Sequence, residues 1–459
     1  MRKTSPTIQS VGDAPAKIFL NFLLIITVAS QIIITFLPRA GYGLTLEEAV
    51  TRALDNNPEL QQQLMNQDLK GERLGKTKSD TFGRIEFLAS FNHYNMPRTL
   101  APLTPASIST DPTAVPTTEN LFTTGVMYEL PLFTGFAQQR SVEIAELEKK
   151  MAQVTYKLGR EQLIYNVKTI YVNILSQKTQ EKAQLQYSKA LMNLYKDISL
   201  EVELGRKARV ELLKAASDLE NARVKTRQIS GNIKILKAGL AGLLGENTVN
   251  SLEDFSMAVS PIDEVSRPDS IRQLKKYHAT VLDLEKKDAL IEKTTAPYYP
   301  QVLFNSFYGQ NFGPNDDSNV HEGDWNNQEV WQATINVKWT IFDFGGRKTD
   351  RQMAIIQKQQ SHREQLKTEL ELKRSLAEAL TRIEMAIDAF QSAETELTLT
   401  RETEIIEQTR FDKGAADVND LLYAKARNQL ALSRSIAARY NYITNRFYLD
   451  YLLENGESK

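Results

Sequence analysis

The sequence contains no cysteine and only four histidines among its 459 residues. Without cysteine it can form no disulfide, no thiolate metal site and no lipidated N-terminal cysteine, and it has no cysteine nucleophile. His93, His278, His321 and His362 lie far apart without metal-ligand spacing, and no phosphate-binding glycine loop or nucleophile elbow is present. We therefore expect neither an enzyme nor a metal or cofactor site.

Charge of one sign is also lacking, because the formal net charge is -1. No polybasic run occurs, so nucleic-acid binding is not expected.

Long apolar runs are equally scarce. The one present, Ile18–Leu37, follows basic residues and precedes small ones, which predicts a cleaved signal peptide over residues 1–43. A retained membrane anchor is the alternative. Any other membrane entry would have to use β-strands.

Four stretches alternate apolar and polar residues, which is typical of strands with one apolar face. They lie at about residues 82–95, 119–133, 300–313 and 328–342. In the last stretch, Trp331 and Trp339 share the apolar face, roughly 26 Å apart at about 3.3 Å per residue. Outer-membrane barrels carry aromatic girdles at the edges of an apolar band about 25 Å tall. We expect these tryptophans to form such a girdle; a soluble sandwich strand is the alternative.

Long helical patterns follow the second and the fourth of these strands. They form two helical hairpins, at residues 136–244 and 345–453, each interrupted by a glycine. The stretch from Gly345 to Lys413 would be roughly 100 Å long as a helix. Its apolar residues recur in steps of four and three, which indicates a coiled-coil seam. That seam comprises Leu372, Leu376, Ala379, Ile383, Ala386, Phe390, Ala393 and Leu397.

The second half of the chain repeats the first. An offset of 209 residues aligns Phe133 with Phe342 and Gly205 with Gly414, and brings the two apolar seams into phase. The N-terminal thirds align only with a short insertion. The predicted organisation is a first repeat at 44–245, a linker at 246–268 and a second repeat at 269–454. Each repeat supplies two strands, and four strands cannot close a membrane barrel, so several chains would have to share one.

This arrangement resembles the TolC-like outer-membrane factor family, the exit ducts of efflux pumps and type I secretion systems. The motifs that carry the resemblance are Leu44-Thr-Leu-Glu-Glu-Ala, Leu130-Pro-Leu-Phe-Thr-Gly135, Tyr299-Pro-Gln-Val302, Ile341-Phe-Asp-Phe-Gly-Gly346 and the two glycine interruptions. The resemblance implies a mainly α fold with membrane β-structure, in which a homotrimer forms a twelve-stranded β-barrel on an α-helical barrel. It implies an outer-membrane location extending into the periplasm, contact with outer-membrane lipid, and a periplasmic adaptor and an inner-membrane transporter as partners.

The resemblance also assigns roles to the hairpin tips. The residues expected to dock the adaptor are Leu204, Gly205, Lys413 and Gly414. The residues expected near the periplasmic aperture are Asp417, Asp420, Glu211, Arg206, Lys207 and Arg209. Three-fold symmetry would make each acid a ring of carboxylates, which favours cations and raises the pKa values by mutual repulsion. The basic residues would pair with these acids and hold the tip shut. Tyr423, one turn after Asp420, is not acidic, so a second acidic ring is missing and cation selectivity does not follow. The alternative for each of these charged residues is a solvated side chain at a hairpin turn.

The function expected from the sequence is a passive exit duct that opens at its hairpin tips. An inner-membrane transporter would supply the energy and select the cargo, so the sequence does not specify the cargo. One alternative is a coiled-coil scaffold or adhesin of the cell envelope that forms no channel. Another is a periplasmic adaptor, but such a protein would need a domain with many short strands.

Overall fold

A computed structural model describes residues 43–110, 115–260, 271–316 and 324–456. The expected signal peptide up to residue 42, part of the expected linker and His321 lie outside the described residues. The described chain forms two units, of which the smaller contains residues 43–45 and Asn250–Asp254. In it, Leu44 and Leu252 form a parallel bridge, in which Leu44 N–H donates to the Ser251 carbonyl at 2.8 Å.

All described strands lie in the larger unit and form one antiparallel sheet in the order β1-β2-β3-β4. Their bounds are Arg84–Thr99 for β1, Thr117–Phe133 for β2, Gln301–Pro314 for β3 and Trp325–Lys338 for β4. In the middle of the sheet, one row of paired residues crosses all four strands, namely Phe87, Val126, Tyr308 and Trp331. Alternate side chains of a strand point to opposite faces, so this row lies on the apolar face that the sequence predicts.

Two strands differ from their predicted bounds. β1 continues to Thr99, beyond its predicted end near residue 95, and β4 ends at Lys338 rather than at residue 342. Lys338 pairs with Gln301, the first residue of β3, so the following residues have no strand partner. Trp339 therefore lies just beyond the strand, where its indole Nε1 donates to the Tyr298 carbonyl at 3.2 Å.

Eight α-helices lie among the described residues. In chain order, α1 to α8 are Leu46–Asn56, Pro58–Ser79, Pro105–Thr110, Ala137–Glu203, Arg209–Leu244, Lys275–Lys293, Gly346–Asp412 and Val418–Leu452. α4 and α7 have 67 residues each, which corresponds to roughly 100 Å. Within the described ranges, we find no helix that combines the length and the apolar character needed to cross a bilayer.

The apolar seam of α7 is buried against α8, as its spacing predicts. Leu372, Ala379 and Ile383 are buried, and the last two share a cluster with Tyr442 and Ile443 of α8. A second cluster lies near the hairpin tips, and we call it the tip core. It comprises Leu191, Leu194, Ile198, Ala215, Leu219, Ala222, Val418, Leu421 and Leu422. The tip core joins α4 and α5 to α8, so the two hairpins pack on each other through buried apolar side chains.

Candidate functional site

The two hairpin tips are built in the same way. After α4, Gly205 adopts a φ of +70°, and Arg206 N–H donates to the Glu201 carbonyl at 2.8 Å. After α7, Gly414 adopts a φ of +71°, and Ala415 N–H donates to the Arg410 carbonyl at 2.8 Å. This helix-ending motif needs a left-handed residue, which glycine provides without strain. Each tip also exposes the residue before its glycine, Leu204 and Lys413, which were expected to dock an adaptor.

Asp417 is the N-cap of α8 and not a free carboxylate. Its Oδ1 accepts hydrogen bonds from Asp420 N–H at 3.0 Å and from Asn419 N–H at 2.7 Å. These hydrogen bonds hold the pKa of the Asp417 carboxyl below its ordinary value in the single chain, and the bond from Asp420 N–H contributes most. The first hairpin has no such cap, because Ala208 stands at the corresponding place.

The three basic residues of the first tip behave differently from one another. Lys207 Nζ pairs with Glu211 at 3.5 Å, as the sequence predicts. Arg206 instead pairs with Glu201 of its own hairpin at 3.6 Å, a partner that the sequence reasoning missed. Arg209 is the first residue of α5 and is exposed. One of the three expected acid–base contacts at the tip is therefore present in the chain.

Lys207 also connects the first hairpin to the second. Its Nζ lies 3.9 Å from the centroid of the Phe411 ring, which is near the end of α7. Nearby, Lys214 Nζ donates to Asn419 Oδ1 at 3.0 Å, which joins α5 to α8. Both contacts lie beside the tip core, so polar and apolar contacts together hold the tips of one chain side by side. Sequence periodicity gives no signal for either contact, because each joins residues about 200 positions apart.

Asp420 lies between the helices of the second hairpin, at a cavity of about 290 Å³. Arg410, Arg427 and Tyr423 also line this cavity. Arg410 pairs with Glu407 at 2.7 Å, and Arg427 lies 5.7 Å from the centroid of the Tyr423 ring. Asp420 therefore stands among guanidinium groups as well as acids, which weakens the local preference for cations that a carboxylate alone would create.

The tryptophans differ in their setting on the sheet. Trp331 lies within β4 with 72% of its surface exposed, and Trp339 lies past the strand with 57% exposed. Trp325, which the sequence reasoning did not use, lies at the start of β4. Its ring is 5.3 Å from that of Phe122 and 6.0 Å from that of Phe312. The apolar face therefore carries aromatic residues at three levels along the strand direction.

Titratable residues show no metal-binding arrangement in the described part of the chain. No group of three or more histidine, aspartate or glutamate side chains there is placed to hold a metal ion. What the geometry provides is an exposed apolar sheet face and two helical hairpins with joined tips, an architecture suited to a conduit.

A sheet with an exposed apolar face, continuous with very long helical hairpins, defines the class of outer-membrane channel folds. The model of the outer membrane efflux protein family matches residues 49–246 and again residues 276–453. The chain therefore belongs to the outer membrane efflux protein family, which is a family of transport proteins and not of enzymes, and the outer membrane is its location. No curated protein sequence matches the chain.

Solved structures of bacterial outer-membrane channels have the same fold. The CmeC outer membrane channel of Campylobacter jejuni is 16% identical, with a TM-score of 0.75 over 90% of this chain and 86% of that one. The open-state MtrE outer membrane channel of Neisseria gonorrhoeae is 16% identical, with a TM-score of 0.73 over 90% and 89%. VceC of Vibrio cholerae is 13% identical, with a TM-score of 0.71 over 89% and 96%.

Proposed function

We propose that the protein is the outer-membrane exit duct of a tripartite efflux pump or a type I secretion system. Three copies would share one barrel of twelve strands, four from each chain. The observation that carries this proposal is the sheet, in which β1 and β4 are the two edges. An open sheet edge is not tolerated in lipid, because its backbone donors and acceptors would be unsatisfied.

The two faces of the sheet fit opposite environments. The row of Phe87, Val126, Tyr308 and Trp331 is exposed on one face. On the other face of β4, Gln332 Nε2 donates to Thr334 Oγ1 at 3.0 Å, and Asn336 and Lys338 are exposed beside them. In transmembrane barrels, apolar side chains contact the outer-membrane lipid and polar side chains line the lumen.

The helical hairpins would continue the conduit through the periplasm. Their length of roughly 100 Å is far more than a bilayer needs. The tips carry exposed Leu204, Gly205, Lys413 and Gly414, which a periplasmic adaptor would contact. The adaptor would connect the duct to an inner-membrane transporter, which supplies the energy. The double match of the family model supports the internal duplication on which this arrangement depends.

The test is the oligomer mass of the detergent-purified protein together with its single-channel conductance in planar bilayers. A trimer that conducts ions supports the shared barrel. A water-soluble monomer or dimer without conductance contradicts it and favours a scaffold of the cell envelope. A reconstituted adaptor that binds the wild-type trimer but not a variant with Leu204 and Lys413 replaced by aspartate would support the docking role of the tips.

A further inference from the structure

Each repeat contains a turn that leads into its first strand and a joint that leads out of its second. We call residues 79–82 and 296–299 the first and second turns, and residues 133–137 and 342–346 the first and second joints. The two hairpins of the sheet have the same register. The pair Arg84–Glu129 corresponds to the pair Gln301–Lys338, because the turns match at an offset of 217 residues and the joints at 209.

Each joint contacts the turn of its own repeat through equivalent side chains. After the first joint, Gln138 Nε2 donates to the Asp80 carbonyl of the first turn at 3.3 Å. After the second joint, Arg347 Nη1 donates to the Pro297 carbonyl of the second turn at 3.1 Å. Gln138 and Arg347 match at an offset of 209 residues, and Asp80 and Pro297 match at 217. These contacts are therefore the same contact, made once in each repeat.

The first joint makes a further contact, with the turn of the other repeat. Phe133 and Phe136 of the first joint pack edge-on against Tyr299 of the second turn, with centroid distances of 6.4 and 5.7 Å. The approach is close, because a Cβ on Gly135 would lie 2.3 Å from the Ala296 carbonyl oxygen. Along the chain, the order of contacts is thus first turn, first joint, second turn and second joint.

The first turn and the second joint, which stand at the two ends of this order, both expose aromatic side chains. Phe82 of the first turn is the equivalent of Tyr299 and is 73% exposed. Phe342 of the second joint is the equivalent of Phe133 and is 70% exposed, and Phe344 beside it is 93% exposed. Phe342 and Phe344 contact each other, with ring centroids 4.7 Å apart. The first turn and the second joint therefore correspond to two segments that contact each other between the repeats, but they make no such contact in the described part of this chain.

We infer that the second joint of one copy is covered by the first turn of a second copy, with Phe82 packed on Phe342 and Phe344. This inference rests on the proposed function, in which β4 of one copy pairs with β1 of the next. It specifies which side chains form that interface where the strands meet the helices. Tyr299 and β3 cover the first joint, and their repeat equivalents are Phe82 and the edge strand β1. The segment that covers the second joint is therefore the first turn of a second copy.

The joint between copies is wider than the joint within a chain. At the first joint, Gly135 and Phe136 have φ values of +63° and +70°. At the second joint, Phe344 and Gly345 have φ values of +54° and +94°, so glycine and phenylalanine have exchanged places. A side chain at the place of Gly135 would meet the carbonyl of the covering turn. The Phe344 ring therefore separates the two copies and fills the gap between them.

Cysteine cross-linking tests this contact directly, because the native chain contains no cysteine. The variant carries Phe82→Cys and Phe342→Cys in the full-length chain and is treated with a short bifunctional maleimide. Covalent dimers and trimers on a denaturing gel are expected. Each single variant should give none. A variant with Phe133→Cys and Tyr299→Cys should cross-link within one chain, without any increase in mass.

The outcomes separate this inference from the proposed function. If the double variant forms a conducting trimer and both cysteines react with a monofunctional maleimide, but the chains are not cross-linked, the contact is overturned and the proposed duct is not. A monomer without conductance overturns both. If the double variant does not fold, Phe82→Ala serves instead. It should lower the temperature at which the trimer dissociates, whereas Met353→Ala on the exposed part of α7 should not. Equal effects of these two changes would overturn the contact.

Discussion

The ammonium group of Lys207 lies 3.9 Å from the centre of the Phe411 ring, and this contact joins the turn of the first hairpin to the last turns of α7. The same nitrogen is 3.5 Å from Glu211 Oε2. A cation over an aromatic face is attracted by the ring quadrupole, and the attraction is stronger where water is partly excluded. About a quarter of the Lys207 side chain is exposed, so the contact is well placed to hold the two tips together.

Replacing Lys207 by methionine should loosen the tips. The change keeps most of the apolar stem but removes the charge, so we expect a loss of about 1 kcal/mol in the coupling between hairpins. In planar bilayers, the variant should show larger or more frequent openings than the wild-type protein.

The matched control for Lys207 is Arg206→Met in the same turn. Arg206 is two-thirds exposed and pairs only within its own hairpin, with Glu201. An exposed ion pair of this kind contributes little. The control should therefore conduct like the wild type. Equal conductance changes in the two variants would mean that the loss of tip charge, and not the contact with Phe411, controls opening.

Asp417 should act as a helix cap whose effect depends on pH. Its pKa is lowered by the N–H groups of Asp420 and Asn419 and by the charge of Lys214. A carboxyl with a lowered folded-state pKa stabilises the fold above its unfolded-state pKa, about 3.9 for aspartate. This stabilisation is lost as the pH falls through the folded-state value. Asp417→Ala should therefore speed amide hydrogen exchange in the first turn of α8 at pH 7, and its difference from the wild type should shrink as the pH falls below about 3.9.

The control for this cap is Asp417→Asn. Asparagine is a good N-cap but has no charge to titrate. Its protection of the first turn should be close to wild type at pH 7 and should not fall between pH 7 and pH 3. If Asp417→Asn speeds exchange as much as Asp417→Ala does, then the carboxylate charge and not the cap stabilises the turn.

The sequence predicted those features that are set by local periodicity. Leu372, Ala379 and Ile383 belong to a seam whose residues recur in steps of four and three, and they lie buried, as expected. Gly205 and Gly414 mark the hairpin turns because a left-handed residue is needed where each long helix ends. Each of these signals depends only on neighbours in the chain, which is why a single sequence contains them.

Features that depend on distant partners were missed or misplaced. Trp339 alternates in phase with Trp331, but β3 begins at Gln301 and leaves no partner for β4 beyond Lys338. Likewise, Arg206 was expected to pair with an acid of the tip, but the turn folds it back towards Glu201. Strand ends and tip contacts are set by the partner segment. Neither the alternation of apolar residues nor the charge of a residue encodes where that segment lies.

The buried charges around the C-terminal segment should be important for stability. Lys168 Nζ donates to the Gly456 carbonyl at 2.9 Å, and Gly456 N–H donates to Glu161 Oε2 at 2.9 Å. Both charged side chains are buried, and Lys275 Nζ lies 3.2 Å from Glu161. Burial lowers the pKa of Lys168, and the carboxylates of Asp450 and Glu161 oppose this change.

Replacing Lys168 by methionine should destabilise the protein by roughly 3 kcal/mol, because it leaves buried acidic groups with less compensation. The measurement is thermal unfolding in detergent, followed by far-UV circular dichroism. Lys189→Met, which alters an exposed residue of the same helix, is the control and should change stability by less than about 0.5 kcal/mol. If both variants unfold at the same temperature as the wild type, the cluster does not stabilise the fold.

Gly135 should tolerate substitution far less well than Gly345, although both have positive φ values. A Cβ on Gly345 would meet no atom within 4 Å, so Gly345→Ala carries only backbone strain, roughly 1–2 kcal/mol. A Cβ on Gly135 would lie 2.3 Å from the Ala296 carbonyl oxygen. Because that oxygen belongs to the backbone of the second turn, it cannot move aside, and Gly135→Ala should cost roughly 3 kcal/mol or more.

Asparagine separates strain from steric overlap in this comparison, because it tolerates the left-handed region better than alanine. Gly345→Asn should unfold at a higher temperature than Gly345→Ala, since it relieves most of the strain. Gly135→Asn should be no better than Gly135→Ala, because both carry the Cβ that overlaps the carbonyl of Ala296. Recovery of stability by asparagine at residue 135 would show that the first joint opens to accept a side chain and is not held closed by the second turn.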